Sequence, residues 1–211
     1  MKMEEREIEI VLEQSPEPHK LLEGLARHLD LPLQSLGMST TYDRMVDTSD
    51  MALLAIDHTL RVRQKLGNVF AGNEFRLTYK QPLAEHDVLF IRDERKLKLT
   101  EPDFDSVLDF LGSLTESLVN QKMATILEIN ELAREANLGG EGKVLNVSLD
   151  VCHYSLPQGG DVANEIVLEL ESHGVADEVL LSAADWVIAN YGGRIAAEGK
   201  YARGLRLLGQ L

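Results

Sequence analysis

Apolar and charged residues alternate along much of this chain. In residues 5–12 the acids Glu5, Glu7 and Glu9 interleave with Ile8 and Ile10, the period-two signature of a strand with one apolar and one charged face. The same pattern recurs downstream. Arg61, Arg63 and Lys65 share a face in LRVRQK, and in EFRLTYK Glu74, Arg76, Thr78 and Lys80 oppose Phe75, Leu77 and Tyr79. Arg92, Glu94, Lys96 and Lys98 share the next, Asn146, Ser148 and Asp150 oppose Leu145, Val147 and Leu149, and Glu165, Val167, Glu169 and Glu171 oppose Ile166, Leu168 and Leu170. Helical periodicity separates these strands. Ser15 before Pro16 predicts an N-cap and first turn leading into Leu21, Leu22, Leu25 and Leu29. Asp50 is expected to cap the short MALLAI, and Thr100 to open a helix carrying Phe104, Val107, Leu108 and Leu111. Asp177 to Tyr191 reads as a helix stopped by Gly192 and Gly193, and the tail from about 194 to 211 as one more. Strands spaced for hairpins, with helices between and after them, predict an α+β fold on an antiparallel sheet.

The charged faces are sorted by sign, acids on the first and last strands and bases on the middle ones. Charged faces on a one-sided sheet usually meet water. A solvated surface, however, gains from mixing signs across neighbouring strands, because like charges directly opposite repel. If the sheet instead curls into a barrel, acids line one wall and bases the other. Paired carboxylates at i and i+2 offer the hard oxygens that Mg2+ or Mn2+ requires. Arg61, Arg63, Lys80 and Arg92 would then hold phosphates, and both Arg61 and Arg63 are expected to serve ligand rather than core. The arrangement suits a small anionic polyphosphate or nucleotide.

Composition narrows the partners. The 211 residues, 44% hydrophobic, can bury one sizeable core, and neither a linker nor an internal repeat is evident. A formal net charge of −14 opposes nucleic acid and anionic membranes at long range. The apolar runs are too short to span a bilayer and MKMEERE lacks a signal-peptide core, which places the protein in the cytoplasm. Cys152 has no second cysteine to pair with, and none of the six histidines is spaced i, i+4 with another on a helix, so disulfides and zinc are not expected. GNVFAGNE and NLGGEGK read as turns. A homodimer is compatible with the sequence, which does not specify one.

The charged segments resemble, in order and spacing, the CYTH superfamily of triphosphate tunnel metalloenzymes. EIEIV at residues 7 to 11 is similar to its E-x-E-x-K signature, and residues 47 to 63 to its D-T-P-D-x-x-L followed by L-R-[IV]-R. RLTYK resembles its L-T-x-K strand, Arg92 with Glu94 its R-x-E strand, NEIVLELE its late E-x-E-x-E strand, and GKYARGL its S-K-x-A-R-G ending. The resemblance covers nearly all of residues 1–211. It implies a single domain built as a closed tunnel of eight antiparallel strands with flanking helices. It also implies divalent-metal-dependent hydrolysis of a short polyphosphate, most simply inorganic triphosphate, with thiamine triphosphatase or adenylyl cyclase chemistry as alternatives. Glu7, Glu9 and Glu169 would be catalytic and, with Glu165 or Glu171, would hold one or two Mg2+ or Mn2+ ions. Arg61, Arg63, Lys80 and Arg92 would bind substrate, with Lys200 and Arg203 closing one end.

Three positions depart from the family pattern. Val11 stands for the signature lysine, Val167 interrupts the late acidic strand, and the expected K-x-R strand reads EINELAR, where only Arg134 is basic and Glu128 and Glu131 carry the opposite sign. These departures raise the alternative of a tunnel protein that binds polyphosphate or nucleotide without turnover.

Overall fold

A computed structural model describes residues 2–66, 74–84, 86–99, 107, 110, 112 and 122–211. The strands are β1 (Lys2–Leu12), β2 (Leu33–Thr48), β3 (Thr59–Leu66), β4 (Glu74–Ala84), β5 (Phe90–Leu99), β6 (Met123–Gly140), β7 (Lys143–Ser155), β8 (Val162–His173) and the short β9 (Arg194–Ile195). The helices are α1 (Pro18–Leu29), α2 (Asp177–Tyr191) and α3 (Lys200–Leu207), with a 3-10 turn at Leu54–Ile56. Neighbouring strands run β5-β4-β3-β2-β6-β7-β8-β1, and antiparallel pairing of β1 with β5 closes the first eight into a barrel. This is the α+β tunnel that the alternation and the resemblance predicted.

The pleat decides what faces the tunnel. Ile8 and Ile10 point outward at 0% exposure, into a layer formed by α1 and α2 through Leu21, Leu25, Leu180 and Val187. Glu7 and Glu9 therefore point inward. A second outer layer covers β3 and β4, where Leu60, Val62, Leu77 and Tyr79 pack with Leu53 and Val107. The helix expected from Thr100 otherwise lies outside the described residues, as does most of GNVFAGNE. NLGGEGK turns as expected, with Glu141 and Gly142 at positive φ between β6 and β7.

One end of the barrel is plugged. Met45, Ile129, Tyr154 and Val167 from the strands meet Tyr201 and Leu205 of α3. Gly204 allows this approach, since a Cβ there would lie 2.5 Å from the Tyr154 ring and 2.7 Å from Leu127. Asp47 ties the plug to the 3-10 turn. Its buried carboxylate accepts from the backbone N–H of Thr48, Leu53 and Leu54 at 2.7, 2.9 and 3.0 Å, and from the Tyr201 hydroxyl at 3.2 Å. Leaving those donors unmet in the interior would cost more than the bonds return in water.

Several boundaries differ from expectation. Glu17, not Ser15, caps α1, accepting from His19 N and Lys20 N, because Pro18 rather than Pro16 occupies the first helical position. Asp47 does the anchoring expected of Asp50, which instead accepts from Thr48. The tail is helical only over Lys200–Leu207, since Arg194–Ile195 adds to the edge of β1. The long strand β2 was not anticipated. Among the described residues no helix is long and apolar enough to cross a membrane.

Candidate active site

The tunnel's acidic wall is set by the register of β1 against β8. Glu7 lies opposite Glu171, Glu9 opposite Glu169, and Val11 opposite Val167. Directly opposed carboxylates repel unless cations stand between them. One carboxylate oxygen from each of Glu7, Glu9 and Glu169 lies within 4.8 Å of the others. Three hard, negatively charged donors converging in a mostly buried site match the preference of Mg2+ or Mn2+, so the residues present fit such an ion.

The basic wall answers from β3 to β5. Lys80 Nζ lies 2.7 Å from Glu5 and 3.7 Å from Glu7, and Arg92 Nη1 lies 3.3 Å from Glu7. From the plug, Lys200 Nζ reaches Glu131 at 2.7 Å, Asp150 at 2.6 Å and Glu169 at 2.8 Å. Arg203 holds Glu9 at 2.5 Å and Glu165 at 3.0 Å. Between the walls is a cavity of about 60 Å3, bounded by Glu7, Glu9 and Glu169 on one side and by Arg61, Thr78, Lys80 and Arg92 on the other. Arg61 Nε, Thr78 Oγ1 and Glu5 Oε2 are buried without a hydrogen-bond partner. Buried polar atoms left in that state point to a ligand or ordered water in the tunnel.

The crowding of charge moves protons. Burial lifts the Glu9 carboxyl to about 8, with Glu7 and Glu169 adding to the rise and Arg203 only partly opposing it. Burial likewise brings Asp150 to about 7 against the pull of Lys200, and Glu171 to about 7 with Glu5 and Glu7 adding to the shift. Glu7 is buried too, yet Lys80 and Arg92 outweigh that and hold it near 2; Lys200 and Arg63 do the same for Glu131. For the raised group Glu9, the folded chain binds a proton more tightly than the unfolded one between 4.5 and about 8, so stability falls as pH rises through that window. Glu7 and Glu131 act in the opposite sense, losing their contribution only as pH falls from 4.5 towards about 2. The metal-free protein is accordingly expected to melt at a higher temperature at pH 6 than at pH 8.5. A thermal profile that is flat or rising between those two values would contradict the buried acidic wall.

The residues expected at the site are not all equivalent. Glu7, Glu9 and Glu169 come together, whereas Glu165 sits towards the plug, bound by Arg203 and by the Tyr154 hydroxyl at 2.9 Å. Glu171 is one step towards the other mouth, with His173 Nε2 3.6 Å away. Arg61, Lys80, Arg92 and Lys200 line the cavity. Arg63 is turned into a fork on Asp43, with Nε and Nη2 both at 2.7 Å. Alternation along β6 puts Arg134 on the outer face and Glu131 inside. The structure also adds Asp43, Glu131, Asp150, Glu5 and Thr78 to the tunnel. Val11 and Val167 prove to be cross-strand partners, so the two departures remove one charge of each sign from the same rung rather than two independent charges.

No protein-family model and no curated protein matches the sequence. Solved structures do share the fold. A Pyrococcus horikoshii OT3 protein aligns at TM-score 0.54 and 16% identity over 95% of this chain and 98% of its own. A candidate adenylate cyclase from Bacillus halodurans aligns at TM-score 0.53 and 17% identity, covering 96% and 97%. A candidate adenylyl cyclase from Hippeastrum, described as having a dominant triphosphatase activity, aligns at TM-score 0.54 and 16% identity over 98% and 97%. At these identities the likeness establishes the closed tunnel barrel expected from the CYTH resemblance.

Proposed function

We propose that this protein hydrolyses a phosphoric anhydride bond of a short polyphosphate inside the tunnel, with Mg2+ or Mn2+ held by Glu7, Glu9 and Glu169. The observation that carries the reading is the convergence of those carboxylates across a small cavity from Arg61, Lys80 and Arg92, with unpartnered donors between. The triphosphatase activity described for the Hippeastrum protein of the same fold is consistent with it. When bound, the cation supplies charge neutralisation and activation of the attacking water. Arg61 and Thr78 direct free donors at phosphate oxygens. Lys80 and Arg92, which stand beside Glu7 on the cavity wall, would hold the phosphate charge and stabilise the transferred phosphoryl group. Water adds to the terminal phosphorus as the bridging P–O bond breaks, leaving orthophosphate and the shortened chain. Phosphoryl transfer needs position and charge more than a dedicated base.

Binding without turnover is the second reading. It is favoured by Glu131, an acid on the strand where the family pattern places bases, which together with Asp150 holds Lys200. Phosphate release from inorganic triphosphate, thiamine triphosphate and ATP, with Mg2+, with Mn2+ and with chelator, separates the two. Release only in the presence of metal supports hydrolysis. Thermal stabilisation by triphosphate without release supports binding alone, and the absence of both release and stabilisation rules the tunnel out as a polyphosphate site.

A further inference from the structure

The plug helix α3 has two working sides. Lys200, Tyr201 and Ala202 border the tunnel cavity, whereas Arg203, Arg206 and Leu207, spaced i, i+3 and i+4 along one face, border a separate cavity of about 250 Å3. Arg194, Glu165 and Glu198 complete its charged lining. The two cavities have no lining residue in common, so this one lies behind the plug and outside the tunnel.

Its charges do not cancel. Glu165 is held by Arg203 at 3.0 Å and by the Tyr154 hydroxyl at 2.9 Å, and Glu198 by Arg206 at 2.6 Å. Both carboxylates are thereby matched. Arg194 is exposed on β9, opposite Val11 of β1, and makes no ion pair or side-chain hydrogen bond among the described residues. Arg203 is 5% exposed; its Nε and Nη1 are engaged by Glu165 and Glu9, but its Nη2 is buried without a partner. A buried donor in that state lacks an acceptor. In a chain whose net charge is −14, an excess of base in one cavity is a local reversal of sign.

We propose that the cavity behind α3 binds a free tetrahedral oxyanion, orthophosphate, between Arg194, Arg203 and Arg206. Guanidinium forks match phosphate oxygens in pairs, and at ~30 Å3 per water molecule the space holds the ion with part of its hydration. A chain of several phosphates brings more charge than one unpaired base answers. The site goes beyond the tunnel reaction and does not depend on it, although that reaction would release the same ion. Arg203 also holds Glu9 at 2.5 Å, so the bound ion stands one guanidinium away from the acidic wall.

Calorimetric titration of orthophosphate into the whole chain in chelator tests the site, since without a cation the acidic wall opposes an anion in the tunnel. The parent is expected to bind the ion. Arg194→Gln, which breaks no pair, is expected to weaken it about tenfold, the scale of one charge-assisted hydrogen bond. Glu198→Gln frees Arg206 and is expected to tighten it about threefold. Arg61→Ala, on the tunnel side, should leave the affinity unchanged. No binding by the parent, or an affinity that Arg194→Gln does not alter, overturns the proposal. Loss of binding in Arg61→Ala assigns the ion to the tunnel and overturns it as well. Release of phosphate from triphosphate plays no part in the readout, so failure of the tunnel reading leaves this test intact.

Discussion

Glu9→Gln is expected to reduce metal-dependent phosphate release by more than about 100-fold, since even groups supporting a metal ligand cost 10- to 100-fold when lost. The same substitution is expected to leave the metal-free protein at least as stable at pH 8. Glu9 is 3% exposed and stands opposite Glu169, and burial with those neighbours raises its carboxyl to about 8 despite Arg203. The folded chain therefore prefers this group neutral, and glutamine is its neutral near-isostere. Arg203 keeps Glu165 as a partner. Activity and stability should thus part company, as they do where a strained site is kept for function. Phosphate release and thermal melts with and without Mn2+ measure both halves. A variant that stays active, or one that melts several degrees lower without metal, contradicts the role given to the acidic wall.

That wall was readable because the layer behind it is apolar. On β1 and β8 the inward acids alternate with Ile8, Ile10, Leu168 and Leu170, which α1 and α2 cover, so charge and apolarity mark opposite faces. β2 gives no such contrast. Its inward positions Ser39, Thr41 and Asp43 are polar, and Thr40, Tyr42 and Arg44 on the outer face lie outside both covering layers. With polar residues on both faces the period of two carries no hydrophobic signal. Asp43 was missed with the strand. On β6, Glu131 was read only as a charge of the wrong sign, because its partner Lys200 is 69 residues away in sequence. The pairing of Val11 with Val167 is likewise a fact of register, and register between distant strands is fixed by closure of the barrel. Glu17 and Ser15 each precede a proline, and a local rule does not choose between them.

The two arginines of β3, alike in sequence, are expected to separate on mutation. Arg63 grips Asp43 through two bonds of 2.7 Å and also approaches Glu131 at 3.4 Å, while Asp43 is 1% exposed. Arg63→Ala leaves that buried carboxylate with only Arg61, at 3.3 Å, and stranding one member of a buried ion pair costs about 3 kcal/mol. Adding Asp43→Asn should restore much of the loss, because it removes the stranded charge. Arg61 has a buried Nε without a partner and lines the cavity. Arg61→Ala should hardly move the denaturation midpoint but should weaken triphosphate about tenfold or more, the scale of a charge-assisted hydrogen bond. Denaturant melts and calorimetric titration on the three variants decide the matter. If Arg63→Ala keeps full stability and loses the ligand while Arg61→Ala does the reverse, the inward fork on Asp43 is not the structural member of the pair.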